Sequence, residues 1–122
     1  MVAAKSLFFT SHLQEQSALF AALAHPARLQ ILRHLAETRR CISGDITDLL
    51  PLSRTTIAQH IRVLKNAGLI FDHLEGAKVV YCLDVVKMQQ MEEMLHCFIG
   101  EMHLPPDFSC RLYPRERKHR TE

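Results

Sequence analysis

Between Leu13 and Leu23 the apolar residues Leu19, Phe20 and Leu23 recur at helical spacing, which predicts an amphipathic helix. The segment AHPAR closes that pattern, because Pro26 suits the first turn of a new helix and not the interior of an old one. The second helix runs to about Ala36, with Leu29, Leu32, Leu35 and Ala36 expected inward. CISGD then breaks the chain. Ser43 or Asp45 can cap a short third helix, DITDLL, which Pro51 ends. Ser53 is a good cap for a fourth helix, and Gly68 stands where a left-handed residue ends one. LIFDHL and VVYCLD, joined by the turn EGAK, change the pattern to that of a β-hairpin. Asp84 caps a last helix reaching to about His103. In it Met88, Met91, Leu95, Phe98 and Met102 recur at spacings of 3, 4, 3 and 4 and form one apolar seam. LPPDF ends it. The fold class is mostly α with a small β-hairpin, in the element order of a winged helix-turn-helix with an added terminal helix.

The fourth helix divides into two faces. With 3.6 residues per turn, Ile57, Ile61 and Leu64 share one side, and His60 sits at its edge as a packing residue. Thr55, Gln59, Arg62 and Asn66 form a stripe on the other side, flanked by Lys65 and Ala58, with Thr56 beyond. From Leu49 to Phe71 there is no acidic residue, while Arg54, Arg62 and Lys65 fall within that span. These types suit a DNA groove. Gln pairs bidentately with adenine, Arg with guanine, and Thr packs on a thymine methyl. Ser53, Arg54 and Lys65, with the helix N-terminus, are placed for phosphates. Lys78 is the phosphate contact of the hairpin, and Glu75 is expected to turn away from DNA. The expected ligand is double-stranded DNA. The alternative is a winged helix that docks protein and binds no DNA.

Composition sharpens this picture without changing it. A chain of 122 residues with 48% apolar and 23% charged content suits one globular domain. The net charge of +2 is unevenly spread: residues 111–122 hold five Arg or Lys against Glu116 and Glu122, leaving ten bases against eleven acids elsewhere. A nearly neutral body means that any polyanion surface comes from local clustering. The expected division is a winged domain with its dimerisation helices over 1–103 and a basic tail over 104–122. No apolar run is long enough to span a bilayer and no signal peptide is read. A cytoplasmic chain with reduced thiols is therefore expected. No nucleophile–base–orienter set and no glycine-rich phosphate loop is present, so catalysis is not expected.

LFAALAHPARLQILRHLAE, LSRTTIAQHIRVLKNAGLI and EGAKVVYCL together resemble the ArsR/SmtB family of bacterial winged-helix repressors over about residues 15–100. The resemblance implies a homodimeric repressor reading a palindromic operator, with two recognition helices in successive major grooves and the first and last helices paired across the dimer. On this chain Phe20, Leu23, Met88, Met91, Leu95, Phe98 and Met102 would supply that interface.

Members of that family usually release DNA on meeting a metal, a metalloid or an oxidant. RRCISGDI resembles the family's thiol box, with Cys41 at its first cysteine and Ser43 at its second. The family's other site lies on the last helix and is matched only at Glu101. Some relatives sense persulfide or oxidants with one cysteine before the short helix and one on the last helix, and Cys41 and Cys97 occupy such places. Arg39, Arg40 or a protonated His96 would lower a nearby thiol's pKa. Three outcomes stay open: idle cysteines, a dithiol redox pair, or a soft-metal or metalloid site. The last would use Cys41 with Cys82, Cys97, Cys110, His96 or His103. No cofactor is otherwise expected.

Overall fold

The computed structural model describes residues 8–39, 41–43, 50–104 and 107. Two helices come first, α1 (Ser11–Leu23) and α2 (Pro26–Thr38), followed by a short strand β1 (Ile42–Ser43). Then come α3 (Arg54–Asn66), the strands β2 (Ile70–Glu75) and β3 (Lys78–Leu83), and α4 (Val85–Gly100). The short helix expected over DITDLL and most of the basic tail lie outside the described residues.

Local chemistry sets the helix ends. Thr10, Ser53 and Asp84 cap α1, α3 and α4 through side-chain oxygens that accept from Leu13 N, Thr56 N and Lys87 N. His25 caps α2 with its imidazole, whose Nδ1 accepts from Ala27 N at 3.0 Å, and Pro26 follows at the first helical position. The end of α3 is a Schellman turn. Leu69 N donates to Leu64 O and Gly68 N to Lys65 O, with Gly68 at φ 80°. A Cβ there would strain that left-handed backbone and meet the Lys87 side chain at 3.6 Å.

β2 and β3 form the expected hairpin, in register from Ile70↔Leu83 to Glu75↔Lys78, with Gly76 at φ 64° in its two-residue turn. β1 is additional to that hairpin and to the expected elements. It pairs antiparallel with the other edge of β3 (Ile42↔Tyr81, Ser43↔Val80), giving the order β1-β3-β2.

Ile31, Leu35, Ile57, Leu64 and Leu69 are fully buried between α2, α3 and the start of β2, with Ala22, Ile61, Ile70 and Met91 around them. Two expectations about facing fail. On α2 the buried stripe is Ala27, Ile31 and Leu35 with Leu32, while Leu29 and Ala36 are exposed. A leucine-rich helix allows more than one apolar arc, and its neighbours select one. The single seam expected on α4 is in fact two. Met91 (6% exposed) lies in the chain's own core, with Met88 and Met94 packed against that core. Leu95 and Ile99 face outward separately, and Met102 in the turn just past the helix is exposed as well.

Candidate nucleic-acid interface

On α3 the buried residues are Ile57, His60, Ile61 and Leu64. Arg54, Thr55, Gln59, Arg62, Lys65 and Asn66 are exposed, so the stripe expected from helical spacing shares one solvent-facing arc. Ser53 and Thr56 are engaged at the helix start: Thr56 N donates to Ser53 Oγ, and the two hydroxyls lie 3.0 Å apart. Lys65 is not a free cation. Its ammonium lies 3.0 Å from the Asp72 carboxylate on β2, so the first acid after the acid-free span balances its last base. Lys78 is exposed beside the hairpin turn, and Glu75 opposite it accepts from His73 Nε2 at 3.2 Å.

Behind this face, three helices meet at Arg28, which the sequence reading passed over. Its guanidinium donates to Ala21 O and Ala22 O at the end of α1, and its Nε donates to His60 Nδ1 at 3.2 Å. The His60 ring also stands 4.2 Å, centre to centre, from His25. Burial, then the neighbouring His25 and Arg28, hold the His60 pKa below its ordinary 6.5. Its Nδ1 accepts from an arginine, so the neutral ring carries its proton on Nε2. His60 is a packing residue, as its place at the edge of the core stripe suggested. The residues HPAR thus form a joint: an imidazole cap, a helix-starting proline, and an arginine that holds α3 from behind. Pro26 was the legible signal for that helix start, while an imidazole is not among the usual capping groups.

The cysteines depart from expectation. Cys41 is bonded to Cys82 in a disulfide, not left reduced and not partnered with Cys97. The pairing of Ile42 with Tyr81 carries one step further to place Cys41 opposite Cys82, with Cα atoms 4.3 Å apart, as in a non-hydrogen-bonded antiparallel pair. His73 Nδ1 lies 3.8 Å from Cys82 Sγ. Cys97 is exposed, and its thiol donates to Glu101 Oε2 at 3.5 Å. That hydrogen bond raises the Cys97 pKa instead of lowering it, because it favours the protonated thiol beside a carboxylate. Cys110 lies outside the described residues.

The expected dimer residues separate in the same way. Phe20 and Phe98 meet edge to face at 5.2 Å within one chain. Leu23 and Met88 pack on the core, while Leu95 and Met102 stay exposed, together with Leu13 and Ile99, which were not anticipated.

A solvent-facing helix capped by Ser53, followed directly by a two-stranded hairpin over a helical core, defines a winged helix-turn-helix protein. A family model described as a helix-turn-helix domain matches residues 23–70. The HTH-type transcriptional repressor SmtB of Mycobacterium tuberculosis (strain CDC 1551 / Oshkosh) is 35% identical over 65 residues, covering 53% of this chain and 47% of the repressor. The match thus spans about half that relative's length. The transcriptional activator HlyU of Vibrio cholerae is 33% identical over 78 residues, covering 64% of this chain and 71% of HlyU. A solved ArsR-like transcriptional regulator from Rhodococcus sp. RHA1 superposes with a TM-score of 0.65 at 26% identity, covering 77% of this chain and 88% of that one. The chain belongs to the ArsR/SmtB family of helix-turn-helix transcriptional regulators. Among its described residues no helix is long and apolar enough to cross a membrane.

Proposed function

We propose that this chain is a cytoplasmic, homodimeric repressor that binds a palindromic DNA operator, with α3 in the major groove and the β2–β3 hairpin along the flanking backbone. The observation that carries the reading is the exposed arc of Thr55, Gln59, Arg62 and Asn66 on a helix whose opposite face is core. Gln59 and Arg62 are the base readers, since both offer bidentate hydrogen bonding. Arg54, Lys78 and the capped N-terminus of α3 serve phosphates. Binding is tested by fluorescence anisotropy on duplex selected from random sequence. Affinity should fall on the order of a thousandfold between ~50 and ~200 mM salt. Arg62→Ala should weaken the selected site by about tenfold or more and relax its sequence preference. A flat salt response with unchanged Arg62→Ala binding would instead favour a protein-docking winged helix.

The Cys41–Cys82 bond favours thiol chemistry as the releasing signal. It ties the segment leading toward α3 to the wing strand β3. Opening it takes two electrons and two protons from a dithiol reductant and leaves two thiols, which frees β1 from its covalent hold on β3. DNA affinity should then differ between the two redox states, and Cys41→Ser should abolish that difference.

A further inference from the structure

Where the first turn of α1 meets the end of α4, three potential metal ligands converge outside the DNA-facing surface. His12 Nε2 lies 2.9 Å from Glu101 Oε2, Cys97 Sγ lies 3.5 Å from the same oxygen, and all three ligand atoms fall within 4.8 Å of one another. Cys97 and Glu101 are four residues apart, so they share one face at the end of α4. In a tetrahedral site with metal–nitrogen and metal–oxygen bonds of about 2.0 Å and a metal–sulfur bond of about 2.3 Å, the sulfur–oxygen edge is roughly 3.5 Å and the nitrogen–oxygen edge roughly 3.3 Å. The cluster already has the first of these edges and comes close to the second. Closing the sulfur–nitrogen edge from at most 4.8 Å to roughly 3.5 Å takes a movement of about 1.3 Å or less.

A second observation points into the same place. Gln16, one turn beyond His12, is buried (2% exposed), and its Oε1 has no hydrogen-bond partner. Its Nε2 is directed at His12 Nε2 from 3.2 Å. The same amide also stands close enough to donate toward the Glu101 carboxylate, so four side chains converge here while Gln16 Oε1 stays unpaired among the described residues. A cation at this spot draws on all four. Imidazole, carboxylate and thiolate all become its electron donors, and half a turn of the Gln16 amide offers Oε1 as a fourth.

We propose that His12, Cys97 and Glu101, with Gln16 Oε1 completing the set, bind a borderline-soft divalent cation of the Zn(II) class. Thiolate and imidazole argue against Mg(II) or Ca(II), which take oxygen ligands. On binding, the Cys97 thiol releases its proton to solvent, and thiolate plus carboxylate balance the two positive charges. This site joins the first and last helices of one chain. It shares only Glu101 with the last-helix site that the family resemblance implied and uses none of the thiol box.

Co(II) is the spectroscopic probe, added without reductant and without oxygen to the chelator-stripped full chain, so that the Cys41–Cys82 bond stays intact. One Co(II) per chain should give a thiolate-to-metal charge-transfer band together with intense d–d bands of four-coordination. Cys97→Ser should abolish the charge-transfer band, and His12→Ala should weaken Co(II) binding by about tenfold or more. Cys110→Ser should leave both unchanged. Circular dichroism of each variant confirms folding. Absence of the band in the parent protein, its survival in Cys97→Ser, or its loss in Cys110→Ser would overturn the proposal. The readout is independent of DNA, so a failure here leaves the operator-binding reading standing, and the reverse holds as well.

Discussion

Lys65 and Asp72 show how one contact revises a charge count. An acid-free span suggests free cations along α3, yet the Asp72 carboxylate, from the next strand, sits 3.0 Å from the Lys65 ammonium. A half-exposed pair of this kind adds little stability, so its consequence is electrostatic. Asp72→Asn should release Lys65 toward phosphate, strengthen DNA binding and steepen its logarithmic salt dependence by about one unit, read from anisotropy titrations. An unchanged salt slope would mean that Lys65 stands away from the backbone of bound DNA. His60 yields a pH prediction of definite sign. Its folded pKa lies below the ordinary 6.5, so the unfolded chain binds the proton more readily than the native one. Its contribution is favourable above that value and is lost as pH falls toward the folded pKa. Urea unfolding at about pH 7.5 and about pH 5.5 should therefore show a larger loss of stability at low pH for the parent than for His60→Gln.

Among elements, the two-residue strand β1 has consequences beyond its length. Its pairing with β3 sets the register that brings Cys41 opposite Cys82, across a sequence separation of 41. Closing a loop of that size stabilises the fold by about 4 kcal/mol if the effect is chain entropy alone. Reduction should accordingly lower the melting temperature by about 15 °C in a scan with and without dithiothreitol. The same scan on Cys82→Ser should show no dependence on reductant. Equal melting of the parent in both conditions would show that the bridge contributes nothing to stability.

For the whole molecule, the outward stripe of α4 matters most. Leu95, Ile99 (57% exposed) and Met102 stand clear of the core, and Leu13 on α1 is exposed as well. Phe20 against Phe98 holds α1 alongside α4, so both helices contribute to one end of the molecule. An apolar surface of this kind on a small domain marks an association site. For the proposed homodimer, Ile99→Asp should shift sedimentation from dimer to monomer with the fold intact by circular dichroism. It should also weaken operator binding far more than binding to a half-site, because two linked domains gain affinity that one cannot. A variant that stays dimeric would place the contact elsewhere.

Local chemistry by itself determined the helix starts at Ser53 and Asp84, the Gly68 stop, the Gly76 turn and the two faces of α3. Each of these depends on neighbours a few residues away, through caps, left-handed glycines and helical periodicity. The exposed stripe of Thr55, Gln59, Arg62 and Asn66 was legible for the same reason. Whether an apolar stripe serves its own core or another surface could not be read this way, because both need the same residues at the same spacing. Met91 and Ile99 illustrate it: they lie on one helix, the first in the core and the second in solvent. Contacts between distant segments were equally invisible along the chain: Cys41 with Cys82, His12 with Glu101, Arg28 with His60. Each depends on where helices and strands come to rest against one another. Periodicity sets a side chain's direction, and only the packed chain decides what stands there to meet it.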